Sequence, residues 1–128
     1  MPYGVIPSIR VQDVARSVQF YIGTLGFELQ RGPDISDNNS LKFGDAQIMI
    51  EASASFYSDA YNSAIRERLG GRGANAFYIE ASDLAAMYAS VLAKGANVID
   101  PLAVRDWGQS EFTVEDPDGN WLTFWQAS

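Results

Sequence analysis

Apolar and polar positions follow two periods in this chain, and the order in which they alternate is played twice. Residues 5–12 read as a strand, with Ile9 and Val11 on one face and Ile6, Ser8 and Arg10 on the other. Pro7 lacks an N–H, which suits a strand at a sheet edge or one that crosses between units there. The period then changes. Val14, Val18, Tyr21, Ile22 and Leu25 recur at helical spacing, Asp13 is a good N-cap, and Gly26 is a good stop. Short strands follow at Phe27–Gln30 and Ser40–Phe43, separated by a loop at 32–39. After a Gly44-Asp45 turn comes a strand from Ala46 to Ala52. On that strand Ile48 and Ile50 oppose Gln47, Met49 and Glu51.

Residues 53–73 are the least regular stretch. A short helix is expected within 60–69, and Gly70-Gly71-Arg72-Gly73 reads as a hinge or lid. The first pattern then returns. A strand spans 74–81, and Ser82 or Asp83 caps a helix carrying Leu84, Met87, Tyr88, Val91 and Leu92, which Gly95 stops. Asn97-Val98-Ile99 is a short strand broken by Asp100-Pro101, and 104–108 is a loop. Strands at 110–115 and 120–126 close the chain. Asp13 matches Asp83, and Gly26 falls near Gly95, at an offset of about 70 residues, which points to an internal duplication. A single domain is expected, with modules at about 1–55 and 74–128 and a linker at 56–73. On the last strand Trp121, Thr123 and Trp125 share one face, and Leu122 and Phe124 share the other. A strand so apolar on both sides is either covered on both or lines a pocket.

At 128 residues the chain can bury one good core. No apolar run spans a bilayer, and Met1-Pro2-Tyr3-Gly4 does not begin a signal peptide, so a cytoplasmic location is expected. The chain has no cysteine and no histidine. Thiol nucleophiles, Ser-His pairs and imidazole metal sites are therefore excluded, leaving carboxylates, Tyr, Lys and Arg for acid–base work. The net charge of −7 argues against nucleic acid as a partner and suits a cationic ligand.

Two stretches carry a family resemblance: Val11-Gln12-Asp13-Val14-Ala15-Arg16-Ser17-Val18-Gln19-Phe20-Tyr21 with Leu25-Gly26-Phe27, and Glu115-Asp116-Pro117-Asp118-Gly119-Asn120. With them the chain resembles the vicinal oxygen chelate superfamily of glyoxalase I, extradiol dioxygenases and bleomycin-resistance proteins. The resemblance implies an α+β fold of two βαβββ modules. Their strands would curl into an eight-stranded mixed sheet, a cup with helices outside. The family's metal-ligand positions carry over to Ile6, Glu51, Ala76 and Thr123, of which only Glu51 can bind a metal. That departure moves the resemblance towards the metal-free bleomycin-resistance proteins, with no cofactor. Ile6-Pro7 resembles their hinge for exchange of the first strand within a homodimer, and Trp107-Gly108, followed by Glu111-Phe112, resembles part of their drug groove.

The expected function is thus non-catalytic sequestration of an aromatic, partly cationic small molecule. Its site would hold Ser8, Arg10, Met49, Glu51, Tyr57, Tyr78, Trp107, Trp121, Thr123 and Trp125, with no catalytic residue. The alternative is a glyoxalase-like lyase or isomerase, or a dioxygenase relative, acting without the usual metal site. Two accounts of Glu51 stand side by side. One is an ion pair with Arg10, which also points inward; the other is a counter-charge for a ligand amine, a choice that Glu80 shares. Arg10 falls where glyoxalase I uses an arginine for a substrate carboxylate. Phe56 and Tyr57 are candidate rim residues. Asp116 and Asp118 read as turn formers.

Overall fold

A computed structural model of the chain describes residues 6–32, 38–52, 58–68 and 75–127. Among them are eight strands in two four-stranded mixed sheets, together with three helices, an α+β architecture. The strands divide between two compact units, residues 1–71 and 72–128. The hinge expected at Gly70-Gly71-Arg72-Gly73 lies outside the described residues.

The first unit runs β1 (Ser8–Val11), α1 (Val14–Gln19), β2 (Glu28–Arg31), β3 (Asn38–Phe43), β4 (Ala46–Ala52) and α2 (Asp59–Arg68). Asp13 caps α1 by accepting from the Arg16 N–H at 3.0 Å. The helix widens into a π-helical turn at Phe20–Thr24 and ends at Gly26, whose φ of 87° disfavours any residue with a side chain. In the sheet, ordered β1-β4-β3-β2, β1 lies parallel to β4 and the other pairs are antiparallel. Pro7 precedes the edge strand, where its missing N–H breaks no ladder bond, and its carbonyl accepts from Met49 N at 2.9 Å.

Alternation gives this sheet two different faces. Ile9, Val11, Leu41, Ile48 and Ile50 are buried, as are Val14, Val18, Tyr21, Leu25 and Phe27 on and just after α1. The Tyr21 ring sits edge-on to Phe27 at 5.3 Å, and Phe27 lies 5.2 Å from Phe43. The register puts Ser8, Arg10, Met49, Glu51, Asn38 and Ser40 on the opposite face. The pairing of β2 with β3 slips by one residue: Leu29 faces Leu41, but Arg31 faces Ser40. This β-bulge turns Arg31 towards the polar face.

The second unit runs β5 (Ala76–Glu80), α3 (Leu84–Ala93), β6 (Asn97–Val104), β7 (Gln109–Glu115) and β8 (Trp121–Ala127), with sheet order β5-β8-β7-β6. Asp83 caps α3 by accepting from Ala86 N at 3.2 Å. Leu84, Val91, Phe112, Val114, Leu122 and Phe124 are buried; Phe112 lies 5.0 Å from Tyr88 and 5.6 Å from Phe124. The expected break at Asp100-Pro101 is not one. β6 runs through it with two register shifts, because at a sheet edge a proline costs no ladder bond. Asp116 forms the turn before β8, as its sequence suggested. It is buried and accepts from the N–H groups of Asp118 at 2.9 Å and Asn120 at 2.8 Å, and from the Asn120 amide at 3.0 Å.

Candidate functional site

On the polar face of the first sheet the register places Arg10 directly beside Glu51, and Asn38 directly across from it. The Glu51 carboxylate is buried, at 1% exposure. A buried charge needs partners, and this one has them. Oε2 accepts from the Ser8 hydroxyl and from Arg10 Nε at 3.1 Å; Oε1 accepts from Asn38 Nδ2 at 2.7 Å. Asn38 also lies 3.5 Å from the Met49 sulfur. Tyr61 of α2 sets its ring 5.0 Å from the Arg10 guanidinium carbon, within cation–π range.

Burial on its own would raise the Glu51 pKa. The hydrogen bonds from Ser8, Asn38 and Arg10, with the Arg10 charge, outweigh it and hold the carboxyl below its ordinary value. Glu51 is therefore ionised at neutral pH. The stability it contributes is complete above the unfolded glutamate value of about 4.3 and is lost as pH falls through the lower folded value. Melting temperatures taken across that acid window should fall more steeply for the natural chain than for Glu51→Gln. Parallel curves would show that Glu51 contributes nothing to the acid transition.

On the second sheet, one face carries Ala76, Tyr78 and Glu80 of β5, Trp121, Thr123 and Trp125 of β8, and Glu111, Thr113 and Glu115 of β7. Tyr78 and Trp121 are exposed, whereas Thr113, Thr123 and Glu111 are buried. The Thr113 and Thr123 hydroxyls share a hydrogen bond at 2.7 Å, and Trp121 Nε1 donates to Glu115 Oε2 at 3.1 Å. The Tyr78 hydroxyl donates to Glu111. That bond, with burial and the Glu111 charge, raises the phenol pKa against the opposing pull of Arg105, so Tyr78 stays protonated at neutral pH. Arg105 in turn lies 3.7 Å from Glu111 and 2.6 Å from Asp100.

The sequence-derived site residues thus fall into groups. Ser8, Arg10, Met49 and Glu51 meet in the first unit. Tyr78, Trp121, Thr123 and Trp125 share a face of the second. Trp107 is exposed in the β6–β7 turn, Glu80 is exposed on the same face as Trp125, and Phe56 and Tyr57 lie outside the described residues. Asn38, Arg31 and Tyr61 were not singled out, whereas Glu111 entered only with the groove segment that the resemblance implied. Extending the polar alternation of Ser40 and Lys42 back by two residues would have reached Asn38. The alternation of Glu111, Thr113 and Glu115 marks the other face in the same way.

A family-type metal does not fit these residues. Of Ile6, Glu51, Ala76 and Thr123, Glu51 alone has a carboxylate, and both its oxygens already accept hydrogen bonds beside a guanidinium that would repel a cation. Thr123 is committed to Thr113. Among the described residues no group of three or more His, Cys, Asp or Glu could hold an ion.

The family model described as the Glyoxalase/Bleomycin resistance protein/Dioxygenase superfamily matches residues 5–124. The chain belongs to that superfamily. Among its relatives, a putative lactoylglutathione lyase from Brassica oleracea var. gemmifera is 33% identical over 115 residues. That match covers 86% of this chain and 39% of the relative, so the chain spans about two-fifths of the relative's length. Among solved structures, TioX from Micromonospora sp. ML1 superposes with a TM-score of 0.76 at 21% identity, covering 98% of this chain and 97% of that one. The bleomycin-binding protein from Streptomyces verticillus, complexed with copper(II)-bleomycin, superposes with a TM-score of 0.64 at 25% identity, covering 100% and 98%.

The names of the curated relatives correct one expectation. Non-catalytic sequestration of an aromatic cation gives way to a lyase-like reading, because the curated relatives found are named lactoylglutathione lyase. Of the two accounts of Glu51, the structure shows the ion pair, with Arg10 Nε 3.1 Å from the carboxylate. No described helix is long and apolar enough to cross a membrane.

Proposed function

We propose that this chain is a glyoxalase-like lyase or isomerase acting on a small carbonyl compound, with Glu51 as its working carboxylate. The observation that carries the proposal is the 33% identity to a lactoylglutathione lyase over 86% of the chain. Glu51 stands at a ligand position of the family and is ionised, as a general base must be before it takes a proton. The bonds that lower its pKa make it a weak base, which substrate must partly displace from its present donors. In this reading Glu51 takes the proton from the hydroxyl-bearing carbon next to a carbonyl and returns it to the carbonyl carbon, while the hydroxyl proton passes to the former carbonyl oxygen. The substrate is isomerised with no external oxidant or reductant. Arg10, beside the carboxylate, stabilises the oxyanion formed as the proton leaves. No step runs through a metal, since the donor set does not fit one.

A small-molecule substrate also agrees with the bleomycin-binding structure of the same fold. The active species in this proposal is a homodimer. The chain spans 39% of the lyase relative, and a second copy would supply a further pair of modules. Light scattering measures the assembly. The activity is tested by offering the hemithioacetal of methylglyoxal and glutathione, and hemithioacetals of other thiols, with and without a chelator. Thioester formation that survives chelation is expected. A chain that turns over none of these compounds is not such an enzyme.

A further inference from the structure

Glu51 is not held by its neighbours alone. Asn38 Nδ2 donates to Glu51 Oε1 at 2.7 Å, and the other end of the same amide, Oδ1, accepts from Arg31 Nη2. Arg31 Nη1 also donates to the Asn38 backbone carbonyl at 3.3 Å. An amide has one accepting end and one donating end. With a cation on one side and a carboxylate on the other, only one orientation avoids setting like polarity against like at both. The Arg31 guanidinium and the Glu51 carboxylate thus favour the same orientation of Asn38 from its two ends.

The path of the backbone supports this assignment independently. In a regular ladder Arg31 would share a face with Leu29, towards the apolar side of the sheet. The β-bulge between Leu29 and Arg31 brings Arg31 opposite Ser40, on the face that carries Asn38 and Glu51. Bulges commonly re-aim a side chain beside a functional site. We propose that Arg31 is a positioning residue for Glu51, acting through the side-chain amide of Asn38 and delivered to it by the β2 bulge. The inference rests on the reading of Glu51 as the working carboxylate.

Arg31 is exposed, so Arg31→Met leaves the buried core intact. Two readouts on the full-length chain test the relay. The first is the side-chain amide resonance pair of Asn38 in a proton–nitrogen spectrum, identified by its loss in Asn38→Ser. In Arg31→Met this pair should collapse towards the positions of solvent-exposed amides, and Arg31→Lys should recover most of the shift. The second is turnover of the hemithioacetal substrate. Arg31→Met should lower kcat about tenfold, the scale of one charge-assisted hydrogen bond, with KM within about twofold. Arg31→Lys should again recover most of the loss. An unmoved Asn38 amide in Arg31→Met, or a lysine that recovers neither signal, overturns the proposal. If no hemithioacetal is turned over, the lyase reading fails, while the amide resonances still decide whether Arg31 orients Asn38.

Discussion

Replacing Glu51 by glutamine should cut turnover by about a thousandfold, within the range usual for removal of a general base. It should also destabilise the fold by about 3 kcal/mol, because the Arg10 guanidinium is left buried without its counter-charge. Hydrogen bonding at the site explains why so conservative a change costs so much. The carboxylate only accepts, and Ser8, Arg10 and Asn38 all donate to it. Glutamine brings an NH2 group, which must face at least one of those donors whichever way it turns. A double-mutant cycle separates the parts. Arg10→Met combined with Glu51→Gln should cost less stability than the two single changes added, because each change alone strands the other group. Thermal melts and steady-state kinetics on the four proteins carry the test. A Glu51→Gln chain as stable and as active as the natural one would remove Glu51 from both roles.

Phe124→Ala should be the most damaging single truncation in the second unit, at about 3–5 kcal/mol in denaturant melts. Its ring is fully buried and lies 5.6 Å from Phe112. The change empties an aromatic volume that a packed interior cannot refill. Trp121 makes the contrast. It stands three residues earlier on β8, on the opposite face, and is 44% exposed. Truncating that larger ring to alanine should cost only about 0.5 kcal/mol. Equal losses at the two positions would mean that the strand faces are misassigned.

Much of this architecture is legible in the chain because local chemistry dictates it. Asp13 and Asp83 each free a carboxylate to cap the helix that follows. Gly26 and Gly95 each take a positive φ that few other residues tolerate. Alternation alone placed Trp121, Thr123 and Trp125 on one face of β8. Where the outcome depends on an edge or a register, the sequence is silent. Asp100-Pro101 reads as a break until β6 is known to lie at the sheet edge. The choice between pairing Glu51 with Arg10 and leaving it for a ligand needed the parallel register of β1 on β4. Arg31 was invisible as a site residue, because a bulge reverses the face that simple alternation assigns it. The sequestration reading gave way on another ground, the curated relatives named lactoylglutathione lyase, which no single residue of this chain announces.

The parallel union of β1 with β4 also has a consequence for how the chain comes to be. Arg10 and Glu51 are 41 residues apart, and no hairpin can join their strands. β1, made before its partner strand, must wait unpaired until β4 has been made. Closing so long a loop comes late and slowly. The carboxylate and the guanidinium of the site therefore meet only once that loop has closed, and a chain cut short before residue 51 carries Arg10 without Glu51.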